Sequence, residues 1–318
     1  MMKPLQKKTT VVPEYLHKGD KIAIVATARK VSPEEIRPSV ALFESWGLDV
    51  VVNQKLFAQE NQFAGSDELR AENLQEVLDN PEIKAIVCAR GGYGTVRIAD
   101  RLDFSEFAKN PKWIVGYSDV TVLHSHIHNN FGISTLHATM PLNIAGEALS
   151  AEFPSTETLR KALFGELESY GCTQLKSGRE FLNREGDAEG VLVGGNLSIL
   201  YSLCGSESDI DTEGKILFIE DLDEYLYHID RMMQNMKRTG KLAGLKALMV
   251  GAMSDMHDNA IPFGKTAEEI ILDTVKDYPF PVIFCDDFGH VGTDNRALYL
   301  GRKIRLHVEN GRSELVFC

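Results

Sequence analysis

The chain has little of what cross-links, anchors or attracts polyanions. Its 318 residues include five cysteines, Cys88, Cys172, Cys204, Cys285 and Cys318. Their number is odd, they are scattered, and none forms a C-x-x-C pair, so neither a disulfide framework nor a cysteine-held zinc is expected. No run of about 18 apolar residues occurs, and the segment from Met1 to Asp20 is polar. The expectation is a cytoplasmic protein with reduced thiols and no membrane partner. Lysine and arginine total 34 against 46 aspartates and glutamates, a formal charge of -12. Phosphate neutralisation needs clustered basic residues, so a general nucleic-acid binder is set aside. Tryptophan occurs only at Trp46 and Trp113.

With 43% hydrophobic and 25% charged residues, the composition is that of an ordinary globular protein, and the length suggests two domains. The first half alternates strands and helices. Lys21 to Thr27 reads as a strand, followed by a helix capped by Ser32 with Pro33 at its first position and closed by Gly47. Val50 to Val52, a helix over Ser66 to Asp79, Ala85 to Cys88, a helix over Thr95 to Leu102, and Ile114-Val115 continue the pattern. Such alternation predicts a parallel sheet with helices on both faces. A boundary is expected near residue 165, dividing the chain into units 1–165 and 166–318. Strands at Val191 to Val193, Ile216 to Ile219, Ala247 to Val250 and Val282 to Phe284 mark a second α/β or mixed unit. Helices are expected over Asn196 to Leu203 and Tyr225 to Lys237. Leu298 to Leu300 and Ile304 to Val308, joined by Gly301-Arg302, read as a closing hairpin.

The most informative run is Gly116-Tyr117-Ser118-Asp119, between a strand and a helical pattern from Val120 to Asn130. A serine there sits on a sharp turn with exposed hydroxyl and helix-start amides beside it, which suits a nucleophile. The competing reading makes Ser118 an ordinary N-cap, and the second glycine of a G-x-S-x-G elbow is replaced by Val120. A nucleophilic serine needs a base and a group that orients it. His290, in the glycine-flanked loop Phe288 to Asn295, is the best base among nine histidines. Glu220 closes an apolar strand and is placed to hold a histidine, although its acidic neighbours could merely complement a helix dipole. The turn Arg90-Gly91-Gly92-Tyr93-Gly94 also follows a strand. It admits three readings: a tight turn, a weak dinucleotide site with Arg97 where the third glycine belongs, or an oxyanion hole using amides of this turn and of Asp119. His124 and His128 stand at i, i+4, but no third metal ligand is apparent.

Together the Gly91-Gly92-Tyr93-Gly94 turn, the Gly116-Tyr117-Ser118-Asp119 elbow, Gly194-Gly195-Asn196-Leu197, Phe218-Ile219-Glu220-Asp221 and Gly289-His290 resemble the LD-carboxypeptidase family of serine peptidases. The resemblance runs from Gly19-Asp20 to the closing strands. It implies an amidotransferase-like (flavodoxin-like) N-terminal domain carrying nucleophile Ser118. A smaller mixed α/β C-terminal domain would supply His290 as base and Glu220 as its orienting group. The oxyanion would rest on the Gly92 and Asp119 N–H groups. No cofactor or metal is implied. The implied substrate is murein tetrapeptide, cut before its terminal D-alanine in cell-wall recycling, by a homodimer. Its terminal carboxylate needs a cationic or N–H-rich partner; Arg90 and Arg296 are the candidates, unless both are spent on internal ion pairs, with Tyr93 a further substrate contact.

Three alternatives stay open. A related branch hydrolyses an amide of a peptide-nucleotide antibiotic and would stack the base on an aromatic ring; Tyr225, Tyr227 or Phe181 could serve where the tryptophans do not. A non-catalytic small-molecule binder would use the same cleft. A nucleotide-dependent oxidoreductase would rest on the Gly92/Gly94 turn.

Overall fold

The computed structural model describes residues 10–144, 154–172, 182–291, 294–310 and 312–318. Phe181, Gly292 and Thr293 lie outside the described residues. Among the described residues no helix is long and apolar enough to cross a membrane.

The first half runs β1 (Lys21–Val25), α1 (Pro33–Ser45), β2 (Asp49–Val52), α2 (Asp67–Asp79), β3 (Ile83–Cys88), α3 (Ser105–Lys109), β4 (Trp113–Gly116), α4 (Thr121–Phe131), β5 (Thr135–His137) and α5 (Pro154–Leu163). The second runs β6 (Ser169–Cys172), β7 (Gly186–Asn196), α6 (Leu197–Ser202), β8 (Ile216–Leu222), α7 (Leu226–Arg238), β9 (Ala247–Ser254), α8 (Ala267–Val275), β10 (Val282–Phe284), β11 (Leu298–Leu300), β12 (Lys303–Glu309) and β13 (Arg312–Phe317).

Local chemistry explains the boundaries. Ser32 caps α1 with a full capping box: its hydroxyl accepts from the Glu35 N–H, and the Glu35 carboxylate accepts from the Ser32 N–H. Thr266 and Glu269 build the same box at α8. β3 and β4 lie deep in the first sheet and are apolar almost throughout, as strands covered on both faces are. β12 and β13 alternate exposed and buried residues, as strands with one wet face do.

The expected helix over Thr95 to Leu102 is instead two 3-10 turns, Thr95–Arg97 and Ala99–Arg101. Gly94 offers no capping side chain, and the Thr95 N–H and hydroxyl are committed to Asp119 and Thr27. The expected closing hairpin is also different. β11 pairs antiparallel with β5, whereas β12 pairs with β7 and β13. Gly301, with φ +80, carries the chain from one sheet to the other, and the true hairpin is β12–β13.

The first sheet has the order β11-β5-β4-β3-β1-β2, parallel except for β11. The second has the order β10-β9-β8-β7-β12-β13-β6, in which β7 to β10 are parallel and the remainder antiparallel. A largely parallel sheet thus meets a mixed one, as the alternation of elements predicted. In open parallel sheets, ligands bind beyond the carboxyl ends of the strands. Ser118 follows β4, the glycine turn follows β3, Glu220 lies near the end of β8, and His290 follows β10.

Candidate active site

The turn after β4 is built for Ser118. Gly116 has φ +156, and a Cβ there would lie 2.8 Å from the Val120 side chain. Ser118 itself has φ +63, a left-handed conformation rare outside glycine and costing about 1–2 kcal/mol. An N-cap residue is extended and its side chain accepts from the first turn. At Ser118–Val120 the cap position is Tyr117, without a side-chain cap bond, so Ser118 is not a capping serine. His124 supports the turn from α4 by donating from Nε2 to the Gly116 carbonyl at 2.9 Å. His126 contacts Ser208 from Nδ1, and no group of three potential metal ligands occurs among the described residues.

The glycine turn lies against this elbow. A Cβ on Gly91 would meet the Ser118 Oγ at 3.1 Å, so glycine there lets the two turns pack closely without displacing the serine. The Asp119 carboxylate accepts the Thr95 N–H at 2.8 Å and ties the two turns together. Burial pushes the Asp119 carboxyl up, against the hydrogen bonds it accepts. Asp119 lies in the first turn of the helical segment Ser118–Val120, where N–H groups have no helical acceptor.

The candidate base, His290, arrives from the second sheet. His290 Nδ1 and Glu220 Oε2 are 2.6 Å apart, with Glu220 fully buried. A Cβ on Gly289 would lie 2.8 Å from the Glu220 Cβ, and one on Gly251 would lie 3.2 Å from it, so two glycines make room for the carboxylate. The histidine loop is pinned by Ser254, whose hydroxyl donates to the His290 carbonyl at 2.6 Å, and by Asn295, which accepts the Gly289 N–H at 2.9 Å. Burial pulls the His290 pKa down, but the Glu220 charge and hydrogen bond prevail and raise it. The His290 ring packs 4.8 Å from that of Tyr117, the residue joined to Ser118. Burial and the Glu220 charge push the Tyr117 phenol up to about 12, so it is neutral.

Gly194-Gly195-Asn196 brings the halves together. A Cβ on Gly195 would strike Thr121 Oγ1 at 2.5 Å, and Thr121 Oγ1 accepts the Asn196 N–H at 3.1 Å. Asn196 donates to Asp221 at 2.9 Å, and Asp221 also accepts the Ser198 N–H. Burial, then the Glu220 charge, lifts the Asp221 carboxyl to about 7. The end of β7 is thereby fastened on one side to the helix after Ser118 and on the other to the residue after Glu220.

The model of the LD-carboxypeptidase N-terminal domain matches residues 22–138, and that of the LD-carboxypeptidase C-terminal domain matches residues 189–306. The chain belongs to the LD-carboxypeptidase family. It is 40% identical over 266 residues to a probable murein peptide carboxypeptidase of Bacillus subtilis, covering 84% of this chain and 81% of that one. A crystal structure of muramoyltetrapeptide carboxypeptidase from Oxalobacter formigenes matches with TM-score 0.81 and 27% identity, over 93% of this chain and 98% of the other. A microcin self-immunity protein in complex with aspartyl sulfamoyl adenosine shares the fold alone, with TM-score 0.83 at 21% identity over 96% and 98% of the two chains.

Within this family member the remaining expected contacts divide. Arg90 donates to the Lys30 carbonyl at 3.2 Å. Tyr93 is exposed and its ring is tilted against that of Phe63. Arg296 is held between Asp287 at 3.0 Å and Asp294 at 3.2 Å. Trp113 is buried against Tyr15 and Tyr299 and offers no stacking face, Trp46 is half-buried against Phe43, and Tyr225 and Tyr227 are exposed. The tie from Asp119 to Thr95 and the Gly91 contact were not read from the sequence. An aspartate after the serine was visible there, but its partner lies 24 residues upstream.

Proposed function

We propose that the protein is a serine LD-carboxypeptidase that hydrolyses the bond before the terminal D-alanine of murein tetrapeptide. The observation that carries this reading is the buried Glu220–His290 pair, seated through Tyr117 against a strained Ser118. A Glu220-bound Nδ1–H leaves His290 Nε2 as the basic nitrogen. In this reading Nε2 takes the Ser118 proton as Oγ attacks the carbonyl, and the tetrahedral oxyanion rests on the Gly92 and Asp119 N–H groups. His290 then protonates the departing D-alanine amine, and water, deprotonated by the same nitrogen, releases the acyl group. Each oxyanion donor contributes about 10²–10³ in rate. Residues 1–165 supply the nucleophile and residues 166–318 the glutamate and histidine. Arg90, Tyr93 and Arg296 remain proposed substrate contacts. The family resemblance supports extending the proposal to a cytoplasmic homodimer acting in cell-wall recycling.

The test is mass-spectrometric detection of D-alanine released from a tetrapeptide ending in that residue. Wild type releases it, and Ser118→Ala lowers the rate by at least about 10³-fold while retaining the fold. Release that survives Ser118→Ala refutes the nucleophile. Inertness toward the peptide, together with hydrolysis of a peptidyl-nucleotide amide, would move the protein to the antibiotic-hydrolysing branch.

A further inference from the structure

β1, β3 and β4 lie side by side and parallel, so all three release the chain at one edge of the first sheet. β4 leads to Ser118 and β3 to the glycine turn. β1 leads to Arg29. Connections leave β1 toward β2 on one side and β3 toward β4 on the other, and such a reversal opens a crevice between the strands where ligands of open α/β sheets bind. Arg29 sits at that crevice.

Its side chain lies across Gly92. A Cβ on Gly92 would stand 2.6 Å from Arg29 Cδ and 2.8 Å from Arg29 Nε. The arginine thus fills the space a side chain at Gly92 would need. Arg29 is exposed, and among the described residues its guanidinium enters no hydrogen bond or ion pair. The neighbouring cations are occupied. Arg70 is buried, donates to the Thr27 and Gly94 carbonyls and pairs with Asp67, which Arg97 also engages. Arg296 is held by two aspartates. Arg90 spends a donor on the Lys30 carbonyl, which steadies the segment that carries Arg29. In a chain of net charge -12, an arginine with five unspent donors beside the nucleophile's turn is fitted to a carboxylate.

We propose that Arg29 binds the terminal carboxylate of the substrate. This rests on the carboxypeptidase reading and adds to it the group that restricts cleavage to the last residue. Ser118 Oγ bears on Gly91 and the Arg29 side chain on Gly92, adjacent residues whose Cα atoms are about 3.8 Å apart. The attacked carbonyl and the terminal carboxylate of a peptide are likewise separated by one residue. A substrate whose carbonyl meets Ser118 therefore places its carboxylate within reach of the guanidinium, and a longer or amidated end leaves that guanidinium without its anion.

Titration calorimetry on Ser118→Ala protein tests this without turnover, using the tetrapeptide free acid and its C-terminal amide. The free acid binds about 10- to 100-fold tighter than the amide, and adding Arg29→Met abolishes the difference by weakening the acid alone. Arg29→Lys restores part of it, since a point charge replaces a bidentate fork. In the otherwise native enzyme Arg29→Met raises KM for the acid by a similar factor with little change in kcat. Equal binding of acid and amide, equal weakening of both by Arg29→Met, or no binding of the acid overturns the anchor. If wild type releases no D-alanine while the acid still binds more tightly than the amide through Arg29, the hydrolytic reading fails and the anchor stands.

Discussion

At the scale of single residues, His290 balances two influences. Burial alone would depress its pKa, and the Glu220 charge and hydrogen bond hold it above the ordinary value of 6.5. A general base works in its neutral form, so kcat/KM rises with pH through an apparent pKa above 6.5. In Glu220→Gln the charge goes and the burial stays. The acid limb of the pH–rate profile moves to lower pH, and kcat falls by roughly 10³–10⁴ because the imidazole loses its fixed orientation. A limb that does not move would show that Glu220 does not govern the histidine. The sequence singles out Ser118, Glu220 and His290 as candidates because each stands at or just after an apolar strand, and the structure brings Glu220 and His290 into contact. Arg29 was not legible there. It follows β1 as any surface arginine might, and only the approach of a glycine from a turn after another strand gives it a place.

At the scale of elements, capping explains both what was readable and what was not. The Ser32 box predicted α1, while an equivalent box at Thr266 and Glu269 stood in the sequence without a helix being read from it. The helix C-terminus of α2 is finished by a residue no local pattern reveals. Lys112 is 2% exposed and its Nζ donates to the carbonyls of Val77, Leu78 and Asn80 at 3.0, 2.9 and 2.6 Å. Burial brings its pKa down to about 8. Lys112→Met keeps the stem but strands three carbonyls, a loss of about 2–4 kcal/mol. Thermal unfolding of that variant falls by about 3–6 °C, with kcat/KM at 25 °C unchanged. A change under about 1 °C would mean that water serves those carbonyls equally well. The Thr95 to Leu102 segment shows the converse: its residues suit a helix, but two side-chain commitments to neighbouring turns outweigh propensity.

At the scale of the whole molecule, the proposed triad requires the two sheets to approach closely, which they do where β7 meets α4. Gly195 has φ +139 and abuts Thr121, so Gly195→Ala adds both backbone strain and a wedge between β7 and α4. The wedge moves the Glu220–His290 pair away from Ser118. Far-ultraviolet circular dichroism stays native while kcat/KM drops by about 10² or more, since a displacement near 1 Å suffices for that. Retained activity would show that the sheets are brought together elsewhere. The division into two α/β units followed from the rhythm of apolar runs, but the return of Leu298–Leu300 to the first sheet did not, because three apolar residues fit either sheet equally well. That return has a consequence for biosynthesis. During translation, the outer edge of β5 stays bare until residue 300 has cleared the ribosome, and a bare edge invites wrong pairing with other nascent chains. The unit that carries the serine is therefore sealed only after every residue of the candidate triad has been made.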